Sequence, residues 1–505
     1  MRGFPIFKTF KVHSFRFVIT RNNKCNCQKA LNASLRLSFY KFFHTITTMN
    51  AIRKLKEENP FFFKGFIGIS LLYALSAYFS SGFYHWDEYF QILEFTAYKW
   101  GITAAEDLPW EFREKMRPWL QSFILYPFKF LDPHWLVFLF RLVSGQLILL
   151  ALLKWYFVSK EKFEIKSDKL YFWVTFLLWF SPLLFVRYSS ENISSLFALM
   201  FFNVYFSSNE NNHKFVLLGL LATLSFWTRY QMGILLFFPL FQILIKKNNW
   251  NQKFLTFIPF LIGCLIMIII DFWGYGEWTI SPLNYALQNI IYKKAANFGI
   301  NPITDYLKWI VLKPTPLIGL PLLFSLLFVT KKYYKNPLYQ GVIVFILVHN
   351  AIGHKEFRFL FPLAPFIPLY LFKTFEDLNG KKVWPKRFLL LNILILPISF
   401  KSLHPLESFT KITNNLNKVQ LIDNAYPLAL GGKGGLKFNL FYDDLNKFSK
   451  NIKSPYKFID KTEILKKYLL DKKCKLIFSS REFIKLQFKY KILKKNKDIW
   501  SLVKC

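Results

Sequence analysis

The stretch His354-Lys355-Glu356-Phe357-Arg358-Phe359-Leu360-Phe361-Pro362 packs four ionisable side chains into five residues and then runs directly into an apolar segment. Ionised groups are costly at membrane depth, so a cluster there marks function. A second cluster, His85-Trp86-Asp87-Glu88, follows the first apolar segment, with Glu94 close behind. One cluster offers carboxylates and the other offers cations. That pairing suits transfer of a group away from a phosphate leaving group.

Working outward, apolar segments fall at 61–79, 135–158, 171–188, 193–207, 214–228, 231–245, 254–272, 315–330, 338–353, 357–374 and 387–400. The chain is 53% hydrophobic and 20% aromatic, with 61 Phe. Such runs describe a polytopic membrane protein rather than a soluble domain. Several runs are shorter than the ~20 residues of a straight span. The apolar stretch within 119–131 reads as interfacial. Basic residues sit before the first segment (Arg53, Lys54, Lys56) and in three later connections (Lys246-Lys247 with Lys253; Lys331-Lys332 with Lys335; Lys381-Lys382 with Lys386-Arg387). Eleven spans with the N-terminus inside put all of these on the cytosolic face and the C-terminus outside. The loops 80–118, 273–314 and 354–356 then share the opposite face, and both charged clusters lie there.

The net charge of +37 is accounted for by this positive-inside bias and by attraction to membrane lipids, so no nucleic-acid partner is expected. The cysteines are Cys25, Cys27, Cys264, Cys474 and Cys505. Cys25 and Cys27 stand too close for the usual zinc spacing and no second pair follows, so neither a metal site nor a disulfide framework is expected. Before Glu57 there is no acidic residue. Residues 1–48 therefore read either as a basic leader of transit-peptide type or as an extension upstream of a start at Met49. Residues 49–400 form the membrane domain. Residues 401–505, rich in Lys and Asn, read as a small non-cytosolic α/β domain, with Gly431-Gly-Lys-Gly-Gly435 as a turn-rich break.

Within the clusters, Asp87 or Glu88 can take a proton from an attacking hydroxyl. His354, Lys355 and Arg358 can hold phosphate oxygens, Arg as a fork and Lys as a point charge. Glu356 can orient Arg358 or act as a second acid. Arg229 can bind phosphate or pair with a carboxylate. Asp271 closes the seventh segment in Asp271-Phe-Trp-Gly-Tyr275-Gly276, where it reads either as an interface marker or as part of a loop that lines a sugar site or a membrane-level groove. His85, Trp110, Glu111 and Arg117 add polar and aromatic groups on the same face.

These residues resemble glycosyltransferase family 22, the lipid-phosphate-mannose-dependent mannosyltransferases of the GPI-anchor and N-glycan type, with bacterial relatives. The family's His-Pro-Asp-Glu is similar to His85-Trp86-Asp87-Glu88, with Trp86 in place of Pro. Its Thr-Trp-Glu-Trp/Phe motif is similar to Leu108-Pro109-Trp110-Glu111-Phe112, and its Arg-Ser/Pro to Arg117-Pro118. Its Asp-x-x-x-Tyr-Gly…Pro-x-Asn element resembles Asp271, Tyr275, Gly276, Pro282 and Asn284. Its His-Lys-Glu-x-Arg-Phe signature matches His354, Lys355, Glu356, Arg358 and Phe359 fully. The resemblance covers about 60–375. It implies an all-α GT-C bundle with a lumenal or periplasmic active site. It also implies Asp87 as general base with Glu88 as the alternative, and a donor phosphate held by His354, Lys355 and Arg358. The implied donor is a polyprenyl- or dolichyl-phosphate mannose, and the acceptor a glycolipid or lipid-linked glycan. No cofactor beyond that donor is expected. The membrane is the endoplasmic reticulum in a eukaryote or the inner membrane in a bacterium. Another lipid-linked sugar, or a polytopic transporter, is the alternative.

Overall fold

The computed structural model describes residues 49–401 apart from 81, 209, 248 and 379–382, together with Leu440 and three short C-terminal strands. The chain divides into two units, Met1–Asn50 and Ala51–Cys505, and the site lies in the second. The leader 1–48 and the Gly431–Gly435 break fall outside the described residues.

Each apolar segment is helical: α1 (Pro60–Phe79), α2 (Pro133–Lys162), α3 (Asp168–Leu177), α4 (Ser190–Tyr205), α5 (Asn212–Thr228), α6 (Met232–Ile245), α7 (Trp250–Tyr275), α8 (Pro316–Lys332), α9 (Pro337–Ala351), α10 (Ile367–Asp377) and α11 (Val383–Ile395). Their starts are written locally. The side chains of Asn59, Asp132 and Asn336 accept backbone N–H bonds at the N-termini of α1, α2 and α9, each followed by Pro at the first helical position. Ser189 and Asn211 do the same for α4 and α5 without the proline.

Among the described residues, α1, α2 and α7 are long and apolar enough to cross a membrane; α6 and α9 are shorter apolar helices. On α7, Phe254, Ile258, Leu261, Leu265 and Ile269 recur every three to four residues and are all at least half exposed. An unburied apolar stripe on a helix this long faces lipid, so the chain is a membrane protein.

Three segments differ from single spans. The segment 171–188 divides into α3 and a short helix Ser181–Phe185 with Pro182 in its first turn. The segment 357–374 begins as a 3-10 helix, Phe357–Phe366, because Pro362 and Pro365 each remove a backbone donor that an α-helix needs. The segment 387–400 is α11 closed by a 3-10 turn over Leu396–Phe400.

Close packing depends on a missing Cβ at the α5–α7 crossing, where one built on Gly219 would lie 2.1 Å from the Thr256 carbonyl oxygen. The core beneath is aromatic, with Trp155, Phe202 and Phe366 meeting edge to face. In 401–505 the described strands β1 (Ile477–Ser479), β2 (Lys491–Lys495) and β3 (Ser501–Lys504) pair antiparallel in the order β1-β3-β2.

Candidate active site

The carboxylate loop starts where α1 ends. Gly82 presents its carbonyl to two buried arginines, Arg187 (Nη1, 2.5 Å) and Arg141 (Nη1, 3.3 Å), and Arg187 also donates to Ser80 Oγ at 2.5 Å. Cations suit the free carbonyls just beyond a helix C-terminus. Held there, the chain turns through His85, whose Nδ1 accepts the Asp87 N–H at 3.3 Å and caps the helical turn Trp86–Glu88. A π-helical turn over Tyr89–Leu93 follows, an irregularity frequent at functional sites.

Arg358 reaches this loop from the 3-10 helix. Its Nη2 donates to Asp87 Oδ2 at 2.6 Å, its Nη1 to Glu191 Oε1 at 2.9 Å, and its Nε to Glu356. Glu191, in the first turn of α4, also takes Arg229 Nη1 at 2.9 Å. Arg117 stands on the other side, with Nη2 3.7 Å from Asp87 Oδ2 and 3.4 Å from Glu111 Oε1. His85 Nε2 lies 3.4 Å from Glu356 Oε2, and His354 Nε2 lies 3.0 Å from Glu356 Oε1. Asp87, Glu111, Glu191 and Glu356 therefore interleave with Arg117, Arg229 and Arg358. Lys355 is buried beside them, and among the described residues its Nζ meets only the carbonyls of Asn301 (3.1 Å) and Ile352 (2.9 Å).

Burial and neighbouring charge move these carboxyls in opposite directions. Burial pushes the Asp87 carboxyl up, but Arg358 foremost, then His85 and Arg117, outweigh it and hold it well below the usual carboxylate range. Glu356 is also lowered, because Arg358 overcomes its burial. Glu88 is raised: burial exceeds the pull of Arg187 and of the Tyr84 N–H, which lies 2.9 Å from Oε2. Burial likewise raises Glu111 against the opposing charge of Arg117. Glu94, fully buried with Thr103 Oγ1 at 2.5 Å and the Leu440 N–H at 3.1 Å, is pushed up to about 7 by burial. Among Asp87, Glu88, Glu94 and Glu111, Asp87 is the one whose carboxyl is lowered.

The remaining expected residues lie around this cluster. Trp110 stacks near Phe298, with Lys294 over its ring. Asp271 is fully buried and accepts from the Trp119 N–H (2.9 Å) and Trp227 Nε1 (3.2 Å). The Tyr275 hydroxyl donates to the Arg117 carbonyl at 2.8 Å and accepts its N–H at 3.0 Å. Asp271 and Tyr275 thus brace the segment that carries Arg117. Sequence reasoning missed Glu191, Arg187 and Arg141. Glu191 fell in the gap between two apolar segments, whereas Arg187 and Arg141 lie inside segments and carried the same signal of an intramembrane charge. Among the described residues no three His, Cys, Asp or Glu side chains are grouped to hold a metal ion.

The chain is 24% identical over 354 residues to the GPI alpha-1,2-mannosyltransferase 3 of Bos taurus, covering 65% of this chain and 62% of that protein. It is 26% identical to the GPI mannosyltransferase 3 of Debaryomyces hansenii, covering 70% and 67%. It is 26% identical over 185 residues to a probable Dol-P-Man:Man(7)GlcNAc(2)-PP-Dol alpha-1,6-mannosyltransferase of Schizosaccharomyces pombe, covering 36% and 33%. The chain thus spans a little under two thirds of the bovine relative's length. Among solved structures it is similar to ArnT from Cupriavidus metallidurans bound to undecaprenyl phosphate, with a TM-score of 0.46, 9% identity, and coverage of 87% of this chain and 97% of that one. The model of the Alg9-like mannosyltransferase family matches residues 65–427, from α1 through both charged clusters, and the chain belongs to that family.

Proposed function

We propose that this chain moves mannose from a polyprenyl- or dolichyl-phosphate donor to a glycolipid or lipid-linked glycan, with inversion. The observation that carries the reading is the contact between Asp87 and Arg358, which joins the two charged clusters at one point. Membership of a mannosyltransferase family supports the sugar. Relatives named for GPI and dolichol-linked substrates support the class of donor and acceptor.

In this mechanism Asp87 accepts the proton of the acceptor hydroxyl as its oxygen attacks C1 of the mannose. The C1–O bond to the lipid phosphate breaks, and the electron pair leaves with the phosphate. Lys355 and His354 flank the leaving group, where preplaced cations lower the barrier. Arg358 is occupied by three carboxylates. The donor phosphate takes over the bond to its Nη2, and this frees Asp87 as base. Glu191 and Glu356 keep the guanidinium in place during the exchange. Glu88, turned to Arg187 and the Tyr84 N–H, is the alternative base. The reaction takes place at the lumenal face of the endoplasmic reticulum membrane, and residues 401–505 form an extramembrane domain on that side.

The test is mannose transfer in membranes supplied with radiolabelled polyprenyl-phosphate mannose and lipid acceptors. Wild type should transfer, and Asp87→Asn should fall by about 10²–10⁴-fold at equal membrane protein. Full turnover by Asp87→Asn would remove Asp87 as base. Absence of transfer by wild type, with glucosyl or arabinosyl donors active in its place, would overturn mannose as the sugar.

A further inference from the structure

The end of the bundle away from the charged clusters holds a cavity of about 1490 Å³. Its wall is built from five separate connections: the end of α2 (Glu161, Lys162), the α4–α5 turn (Ser207, Glu210, Lys214), the end of α6 (Gln242, Lys246), the start of α7 (Gln252) and the α8–α9 turn (Lys332, Lys335). Three helices run from this cavity to the active site. On α7, Gln252 and Asp271 are separated by about 28 Å at the helical rise; on α5, Lys214 precedes Arg229 by about 22 Å; on α4, Glu191 and Tyr205 stand at opposite ends. The separation approaches the ~30 Å of a hydrocarbon core. Cavity and site therefore belong to opposite interfaces of one membrane.

The wall is cationic at its rim and apolar inside. Five lysines face two glutamates. Lys214 is neutralised by Glu210 at 2.7 Å, and Lys332 by Asp377 at 3.2 Å. Lys162, Lys246 and Lys335 form no ion pair among the described residues. Val158, Phe215, Leu218, Ile243 and Ile245 line the same space. A free phosphate would have no use for that apolar wall, whereas an acylated phosphate would use both surfaces.

We propose that this cavity binds the phosphate headgroup of an anionic lipid from the leaflet opposite the active site, with its first acyl carbons against Phe215, Leu218 and Ile243. Lys162, Lys246 and Lys335 supply the charge, and the Gln242 and Gln252 amides supply hydrogen-bond donors. The inference is independent of the reaction proposed above, since no residue is shared between the two sites.

The experiment titrates the detergent-purified full chain with fluorescent phosphatidylinositol, with phosphatidylcholine of the same chains as reference. Wild type should prefer the anionic lipid. Lys162→Gln/Lys246→Gln/Lys335→Gln should lose that preference by roughly tenfold to a hundredfold, from ~1 kcal/mol per lysine at a membrane surface. A matched set outside the cavity, Lys56→Gln/Lys386→Gln/Arg387→Gln, removes the same charge and should retain it. Equal losses in the two sets would reduce the effect to diffuse surface attraction and overturn the site. Displacement of the lipid by millimolar inorganic phosphate would make the ligand free phosphate instead. Absence of any preference in wild type would also overturn the proposal. Thermal unfolding of both sets, expected within about 2 °C of wild type for exposed surface changes, checks that each is folded.

Discussion

Arg358 turns its three nitrogens to three carboxylates, so its charge is shared rather than waiting free. Removing that charge as Arg358→Gln should let burial dominate at Asp87 and raise its pKa. The acid limb of the pH–rate profile, measured with mannose transfer at saturating donor, should then move to higher pH by about 1–3 units. A limb that stays in place would mean that another group titrates. Glu191 is the shared counter-ion of Arg229 and Arg358, and both of its contacts are buried. Glu191→Ala leaves the buried Arg229 without its carboxylate and takes one of three from Arg358, and should cost about 3–5 kcal/mol of stability, read as a lower midpoint in thermal unfolding; Glu191→Gln, which keeps an acceptor, should lose less. Glu94 makes a prediction of the opposite kind. Its pKa is raised by burial from 4.5 to about 7, so the unfolded chain releases this proton first as pH rises. The contribution of Glu94 to stability should be fullest below pH 4.5, fall between 4.5 and 7, and stay low above that, by on the order of 3 kcal/mol in total. Glu94→Gln should flatten that slope in unfolding runs at pH 5 and pH 8. At this scale the sequence was readable where charge stood out from its surroundings. His354–Arg358 and His85–Glu88 were visible because nothing apolar explains them. Glu191 was not, because beside Ser189, Ser190 and Asn192 it reads as an ordinary helix start, and only folding brings it to Arg358.

The helices obey local rules that the chain displays openly: Asn, Asp or Ser caps, prolines at first positions, and long apolar runs. Their interruptions obey rules of context. Pro182 and the Pro362/Pro365 pair break 171–188 and 357–374, yet the extent of the 3-10 helix depends on what its side chains reach. Arg358 must meet Asp87, and Leu360 and Phe366 must pack. The strut between α7 and the first loop shows the same dependence. Trp119 lies so close to α7 that a Cβ on Gly274 would sit 2.1 Å from its ring, while Asp271 one turn earlier holds the Trp119 backbone. Gly274→Ala should therefore shift the segment carrying Arg117. Overpacking of about 1–3 kcal/mol should appear together with a fall in kcat/KM. Gly219→Ala, at the α5–α7 crossing far from the clusters, should show a similar stability loss with KM unchanged. A normal kcat/KM in a destabilised Gly274→Ala would separate the strut from the site.

At the scale of the molecule, the side of the membrane was inferred from basic residues between apolar segments, and three of them lie together. Lys246, Lys332 and Lys335 converge on one cavity, whereas Asp87, Glu191, Arg229 and Arg358 converge at the other end of the same helices. Those three lysines and the charged clusters thus lie at opposite ends of α4, α5 and α7. The number of full crossings was less readable, because segments buried in protein need not be as long as those bathed in lipid. The division of faces is testable without knowing that number. Trp278, 69% exposed just beyond α7, and Lys335, exposed between α8 and α9, are each changed to Cys in a chain whose own cysteines are replaced by Ser. In sealed microsomes a membrane-impermeant maleimide should label Lys335→Cys at once and Trp278→Cys only after the membrane is permeabilised. The 26 residues of α7 span about 39 Å at the helical rise, more than one hydrocarbon thickness, so the two reporters should not share a side. Labelling of both without permeabilisation would mean that α7 lies along the membrane or returns within it, and the lumenal placement of Asp87 would fall with it.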